Sequence, residues 1–116
     1  MRTESYGSVK VFWPDFSREE LIERLHGFMP ALQRALPVTT TVLFGSWAKG
    51  RATVASDIDL MVIYEDPEIA DAFSRVRGAV DIMGLEPHIY TQSQAAKLKK
   101  TLDAMMDGGV DLLERD

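Results

Sequence analysis

The sequence predicts an α/β (α+β) fold, with a small mixed β-sheet of three to five strands and helices packed against it. Helical and strand-like hydrophobic patterns alternate along the chain, and such alternation is typical of layered α/β architectures. The length of 116 residues suits one domain, residues 1–116. The chain has no cysteine, so we expect a hydrophobic core rather than disulfides or thiolate-bound zinc to hold it together.

The first predicted elements are a short strand and an amphipathic helix. Alternating apolar residues indicate a strand within residues 8–13. Ser17 and Glu20 form the capping-box pattern that begins a helix. Gly27 and Pro30 are expected to kink or divide that helix. Its apolar residues recur at helical spacing, at Leu21, Leu25, Phe28 and Leu32.

Two strands are predicted in the middle of the chain. The β-branched, apolar residues 39–44 indicate the first. Residues 46–49 are expected to form one or two helical turns, and residues 50–56 a loop. Residues 57–64 are apolar on both faces after an acidic start, which predicts a central strand covered on both sides.

A second helix is predicted over residues 67–84, with Pro67 in its first turn and Gly84 at its end. Its expected apolar stripe consists of Ile69 or Ala70, Phe73, Val76, Val80 and Met83.

The remaining elements are a strand, a helix and a last short strand. Pro87 cannot donate to a ladder, so residues 85–90 are expected to form an edge strand. A final helix is expected to begin at the cap Ser93 and to end at residues 108–109. Residues 110–113 complete the predicted elements.

Charge and hydropathy limit the partners. The net charge of -5 argues against nucleic acid as the main partner. A local basic patch could still form around Lys49 and Arg51, or around Lys97, Lys99 and Lys100. No apolar run approaches the roughly 18 residues that a membrane span needs. We therefore expect a cytoplasmic protein without a membrane partner.

Asp57 and Asp59 form the first half of a candidate site. Two residues apart at the start of a strand, their carboxylates leave the same face while Ile58 points to the other. Such carboxylates repel each other unless a cation lies between them. Hard ions such as Mg²⁺ use carboxylate oxygens and complete their shell with water and substrate phosphates. The pair therefore predicts a site for Mg²⁺ together with a nucleotide.

Gly45 and Ser46 form the second half. They follow a strand and precede the expected helical turns, where backbone N–H groups bind anions and a glycine allows close approach. Lys49 and Arg51 could neutralise further phosphate charge, although solvated surface charges are an equally good interpretation. Neither a P-loop nor a Rossmann fingerprint fits this pattern.

Residues 43–64, "LFGSWAKGRATVASDIDLMVIY", resemble the signature of the DNA polymerase β-like nucleotidyltransferase superfamily. The closer likeness is to the minimal nucleotidyltransferases (MNT) of bacteria and archaea. They have Gly-Ser, a spacer of about ten residues, and then two aspartates alternating with hydrophobic residues. The resemblance implies the polymerase β-like fold and an MNT domain over the whole chain.

The resemblance also implies a third carboxylate on the next strand. Asp81 and Glu86 are the candidates. We favour Glu86 because it falls on the strand expected beside Asp59, whereas Asp81 falls inside the predicted second helix. The family often has Asp at this place, and Glu is one methylene longer. It can still serve as a metal ligand or general base.

The implied activity is nucleotidyl transfer. Two Mg²⁺ ions, for which Mn²⁺ could substitute, would be held by Asp57, Asp59 and Glu86, and ATP or another nucleoside triphosphate would be the substrate. AMP would pass from ATP to an acceptor hydroxyl. Relatives of this kind are often antitoxins paired with small helical toxins of the HEPN class. The resemblance therefore implies a HEPN-type partner, and a homo-oligomer is the other partner considered.

Two other functions remain open. The chain could be an inactive nucleotidyltransferase fold that neutralises or scaffolds a partner by contact alone, or a structural module that only binds Mg²⁺. For two residues with aromatic rings near the site, a structural role is favoured over a role in binding. For Trp47, core packing is favoured over stacking on a base. For His88, which shares a strand face with Glu86, a half-buried structural role is favoured over contact with metal or phosphate.

Overall fold

Helices and strands follow one another along the chain, with two strands in succession near its middle and two helices in succession near its end. The computed structural model describes residues 17–53 and 55–113, so the strand predicted within residues 8–13 lies outside the described residues. No helix in those two ranges is both long and apolar enough to cross a bilayer. The elements are α1 (Arg18–Ala35), β1 (Val38–Phe44), β2 (Ile58–Tyr64), α2 (Ala72–Ala79), β3 (Leu85–Thr91), α3 (Gln92–Lys97), α4 (Lys99–Met106) and β4 (Val110–Asp111).

Within the described ranges, the strands form one four-stranded sheet in the order β3-β2-β1-β4. β1 pairs antiparallel with β2 and with β4, and β2 pairs parallel with β3. The predicted mixed sheet is therefore confirmed. Among the described strands, β2 lies inside the sheet and β3, with Pro87, lies at its edge, both as expected.

The two faces of the sheet carry different layers. Ile58, Leu60 and Val62 of β2 lie in a core cluster with the buried residues of α1 and α2. Met61 lies in a second cluster, on the other face, with Leu102 of α4. Because strand side chains alternate between faces, Asp59 is on the Met61 face. The Asp59 side chain therefore lies on the side of the sheet opposite α1 and α2.

α1 begins with the predicted capping box. The Ser17 amide donates to Glu20 Oε1 (2.8 Å), and the Glu20 amide donates to Ser17 Oγ (3.2 Å). Of the two outcomes expected at Gly27 and Pro30, a kink or a division of the helix, the division is wrong, because α1 continues through Pro30 to Ala35. Its buried face explains this result: Leu21, Leu25, Met29 and Leu32 all pack into the core, and such packing outweighs local helix propensity.

α2 is much shorter than the helix predicted over residues 67–84. The amide of Ile69 donates to the Tyr64 hydroxyl (2.9 Å), which holds the preceding segment against the end of β2. The apolar stripe is correct at Val76 and Val80, which are buried. It is wrong at Phe73 and Met83, which are 54% and 95% exposed.

The predicted final helix is divided at Leu98 into α3 and α4. Its predicted cap is also wrong, because Thr91 caps α3 in a capping box with Gln94. Ser93 instead donates to the Asp66 carboxylate through both its amide and its hydroxyl. The side-chain hydrogen bond from Ser93 is the main reason that the pKa of Asp66 lies below its ordinary value.

Gly109, between α4 and β4, is expected to be intolerant of a side chain. A methyl group there would lie 2.8 Å from the Met106 carbonyl oxygen and 2.9 Å from that of Leu43. Because these are backbone atoms, Gly109→Ala should destabilise the fold by about 1–3 kcal/mol, measured by urea unfolding. Gly27→Ala is the control. It adds a methyl group in open space on α1 and should stabilise the protein by up to about 1 kcal/mol. Equal effects of the two substitutions would contradict this account of the turn.

Candidate functional site

Asp59 and Glu86 are register partners. The parallel β2–β3 pair sets the Cα of Asp59 directly beside that of Glu86. Partners in adjacent strands are about 5 Å apart and share a face, so both carboxylates belong to the same side of the sheet. Asp57 is exposed and immediately precedes β2. Asp81, the other candidate third carboxylate, lies after the end of α2 and is exposed, off the strand that carries Glu86.

The turn after β1 lies directly against Asp59. Phe44, the last residue of β1, is the register partner of Asp59, and Gly45 follows with a φ of 79°. A methyl group at Gly45 would overlap Oδ2 of Asp59 and lie 3.3 Å from its Cγ. The glycine therefore leaves room for the carboxylate, and the two halves of the sequence motif meet at this point.

Residues 46–50 form hydrogen-bonded turns, not the short regular helix expected for residues 46–49. The amide of Lys49 donates to the Gly45 carbonyl (3.1 Å), as in one helical turn, and the amide of Arg51 donates to the Ser46 carbonyl (2.9 Å). Amides that precede the first hydrogen bond of a helical turn have no partner within that turn. The exposed Ser46 can therefore still offer donors to an anion.

The side chains of this turn point in different directions. Trp47 is only 5% exposed and belongs to the core cluster, so the packing interpretation is confirmed. Lys49 and Arg51 are exposed. Lys49 Cε lies 3.7 Å from the position of a methyl group on Gly108, so its stem runs along the turn between α4 and β4. Neither cation has a contact that joins it to Asp59 among those described.

Arg18 of α1 stabilises the turn at residues 46–50 through one hydrogen bond. Its Nε donates to the Ala48 carbonyl at 2.9 Å, and its side chain is 36% exposed. The contact joins residues 30 apart in the chain. No local sequence pattern signals such a contact, so Arg18 was not among the site residues predicted from the sequence.

Arg18→Ala should loosen the turn. Losing one hydrogen bond from a charged donor should raise local opening about tenfold, seen as faster amide hydrogen exchange at Lys49 and Arg51. Arg75→Ala is a matched control, because Arg75 donates to the Ala35 carbonyl at 3.2 Å, at the other end of α1. Unchanged exchange in the Arg18 variant, or equal acceleration in the control, would show that Arg18 does not brace the turn.

His88 lies on the same face as Glu86 and reaches Asp59. Its ring is edge-on to Phe44, with centroids 5.0 Å apart and an interplanar angle of 64°. Its Nε2 lies 3.3 Å from Asp59 Oδ1. The side chains of His88 and Asp59 are each 27% exposed. The half-buried packing role predicted for His88 agrees with the Phe44 contact, whereas the contact with Asp59 was not anticipated.

The carboxylates have the right chemistry for a hard cation, but they do not form a complete coordination shell by themselves. Within residues 17–53 and 55–113, no three His, Asp or Glu side chains are grouped closely enough to hold a metal ion by themselves. Mg²⁺ usually takes one or two carboxylates and completes its shell with water and phosphates. Asp57, Asp59 and Glu86 are donors of this type, so the site suits an ion that arrives with a nucleotide.

Comparison with known proteins gives a domain family and a fold. The family model for the nucleotidyltransferase domain matches residues 25–108. No curated protein sequence matches significantly.

Three solved structures are similar to the chain, and the first two share its fold, with TM-scores above 0.5. A presumed nucleotidyltransferase from Sulfolobus solfataricus is 14% identical, with a TM-score of 0.56 and 84% of each chain covered. A toxin–antitoxin structure with AMP-PNP is 18% identical, with a TM-score of 0.54, covering 78% of this chain and 74% of that one. A tri-AMPylated HEPN toxin with its MNT antitoxin, from Shewanella oneidensis, is 17% identical, with a TM-score of 0.45 and coverage of 84% and 70%. At these identities the likeness concerns the fold.

Proposed function

The chain belongs to the nucleotidyltransferase domain family, and from that premise we propose that it transfers AMP from ATP to an acceptor hydroxyl. The reaction would depend on Mg²⁺, and the acceptor would be carried by a helical partner protein of the HEPN type. The proposal covers the nucleotide, the metal and the acceptor, which go beyond family membership.

The observation that carries the proposal is the contact between the Gly45 turn and Asp59. Nucleotidyl transfer needs an anion-binding backbone and an acidic metal-binding group within one triphosphate of each other. The overlap that a methyl group on Gly45 would have with the Asp59 carboxylate shows how close they are. A turn glycine or a solvated strand carboxylate, taken separately, would not require this proximity.

The residues of the chain have distinct roles in this reaction. The Ser46 turn would bind the triphosphate, with Lys49 or Arg51 neutralising its outer charge. Asp57, Asp59 and Glu86 would hold Mg²⁺, which when bound supplies charge stabilisation for the attacking and leaving oxygens. The acceptor oxygen forms a bond to the α-phosphorus, and the bond to the pyrophosphate oxygen breaks. Glu86, being exposed on its strand, can accept the hydroxyl proton.

The proposals for the nucleotide and the partner are supported by one toxin–antitoxin structure and by the exposure of the site. The structure with AMP-PNP is a toxin–antitoxin structure, and AMP-PNP is an ATP analogue. Its fold is shared by this chain, which makes ATP and a toxin partner the first candidates to test. The exposed Asp57, Ser46 and Glu86 leave the acidic end of the sheet accessible to a bulky acceptor such as a protein side chain.

The position of the label distinguishes the possible reactions. The protein would be incubated with the product of the neighbouring gene and ATP labelled at either the α- or the γ-phosphate, with Mg²⁺ or with EDTA. Label from α-ATP should enter the partner with Mg²⁺ only, and label from γ-ATP should not. Incorporation from γ-ATP would indicate phosphoryl transfer instead. No incorporation from either, with Mg²⁺ or Mn²⁺, would refute the proposed reaction with this partner.

A second candidate is a partner-binding protein without catalysis. One observation favours it: the described part of the chain presents no ready three-ligand metal group. This candidate predicts that the partner is neutralised by contact alone, with no covalent change. Mass spectrometry of the partner after incubation with ATP separates the two, because AMP transfer adds an adenylyl mass to it.

A further inference from the structure

We propose that His88 is a positioning residue for Asp59: its imidazole fixes the direction in which the carboxylate meets the metal–nucleotide complex. The inference rests on the proposed function and adds a residue to its site. His88 need not touch the metal or the nucleotide in this role. It acts through Asp59, to which its Nε2 lies 3.3 Å from Oδ1.

The direction of the hydrogen bond follows from the chemistry of the two groups. An ionised carboxylate only accepts hydrogen bonds, so the proton must be on Nε2 of the ring. Oδ1 keeps a second lone pair after accepting from His88. The contact can therefore orient Asp59 without removing its capacity to bind a cation.

The ring of His88 is itself held in place. Phe44 packs against it edge-on at 5.0 Å between centroids, and Phe44 is 7% exposed. Phe44 is also the β1 register partner of Asp59. β1, β2 and β3 thus supply one side chain each to the arrangement, so the sheet sets the distance between imidazole and carboxylate.

The other oxygen of Asp59 is also confined. Oδ2 occupies the space that a side chain on Gly45 would need. Rotation about the last bond of an aspartate is normally broad. With His88 at Oδ1 and the Gly45 backbone beside Oδ2, the carboxylate plane has one favoured orientation. Hydrogen-bond partners of this kind are worth roughly tenfold to a hundredfold in metal affinity.

A pair of substitutions distinguishes a positioning role of His88 from a role in packing alone. His88→Gln keeps an N–H donor in reach of Asp59 but removes the aromatic ring. His88→Phe keeps an aromatic ring against Phe44 but removes the donor. His26→Phe is the matched control, because His26 is the only other histidine of the chain and lies on α1. A purely structural role for His88 predicts that Phe is tolerated better than Gln, and positioning predicts the reverse.

The readout is Mn²⁺ affinity in the presence of AMP-PNP, measured by calorimetry. We expect His88→Phe to weaken it by roughly tenfold to a hundredfold, while His88→Gln retains most of it and His26→Phe matches the wild type. In an Asp59→Asn background, His88→Phe should cause no further loss, because the two residues act as one unit. Wild-type affinity in His88→Phe, equal losses in the Phe and Gln variants, or a further loss in the Asp59→Asn background would each overturn the inference.

A ligand-free measurement separates this inference from the proposed function. If the wild-type protein binds neither Mn²⁺ nor AMP-PNP, the proposed function fails, but the His88 contact can still be judged by ¹⁵N NMR of the neutral ring. The proton should be on Nε2 in the wild type, and Asp59→Asn should weaken that preference. A wild-type ring with its proton on Nδ1 overturns the inference whether or not nucleotide binds.

Discussion

Transfer of α-phosphate label to the partner should fall by about a hundredfold to a thousandfold when Asp57 and Asp59 are both replaced by Asn. Asn keeps the shape of Asp but loses the negative charge that attracts a cation. That charge supports several kcal/mol of transition-state stabilisation, and each 1.36 kcal/mol is a factor of about ten in rate. The fold should survive, because Asp57 is exposed and the Asp59 side chain is 27% exposed. Label transfer under single-turnover conditions would measure the loss.

Single substitutions provide the control and test the third carboxylate. Asp81→Asn, at an exposed position off the strand, should leave transfer unchanged. Glu86→Gln should reduce it, since Glu86 is beside Asp59 in the β2–β3 register. The opposite result would make Asp81 the third carboxylate. Full transfer by the Asp57→Asn, Asp59→Asn double variant would refute the acidic site altogether.

The same double variant tests the binding-only alternative. If the variant loses transfer yet still neutralises the partner as well as the wild-type protein does, contact alone is sufficient for the biological effect. If neutralisation is lost together with transfer while the complex still forms, the covalent change is the effective event. Gel filtration of the mixed proteins reports whether the complex forms.

Gly45→Ala should reduce transfer by about a hundredfold. The added methyl group would overlap Asp59 Oδ2, so the carboxylate must turn away from its present direction and from His88. A displacement of about 1 Å in a catalytic group can cost about a hundredfold in rate. The φ of 79° at this residue adds backbone strain of about 1–2 kcal/mol for any residue with a side chain.

Gly50→Ala is the matched control for this effect. Gly50 has a similar φ of 73°, but a methyl group there meets no atom of the described residues within 4 Å. Both variants should therefore lose stability through this backbone strain in thermal unfolding, while only the Gly45 variant loses transfer. If both lose transfer equally, strain in the turn is the cause. If neither does, the contact between Gly45 and Asp59 has no role in the reaction.

Local sequence patterns were enough to predict several elements. The capping box at Ser17 and Glu20, the strands β1, β2 and β3, and the edge position of Pro87 all depend on neighbours a few residues away. Such signals are short-ranged. They are the period at which apolar residues recur, the presence of a helix-capping residue, and the missing N–H group of a proline. The pattern around Gly45 and Asp59 likewise identified the family, because the order of its residue types is visible in the chain itself.

Helix lengths depended on contacts that the sequence does not display. α2 starts later than its pattern predicts because residues before it are tied to Tyr64. α1 continues through Pro30 because its buried face holds it in the core. Ser93, a good local cap, bonds to Asp66 instead, and Thr91 takes the cap. In each case a tertiary contact outweighed a local preference, of about 1 kcal/mol for a cap and about 3 kcal/mol for a proline inside a helix.

By itself the sequence determined the fold class, the family and the residue types of the acidic site. The tertiary structure decided how those residues meet: Asp59 beside Glu86, Gly45 against Asp59, and the contacts His88–Asp59 and Arg18–Ala48. The last two join residues 29 and 30 apart. Strand register and packing bring such residues together, and a one-residue slip in register would send every side chain of a strand to the opposite face.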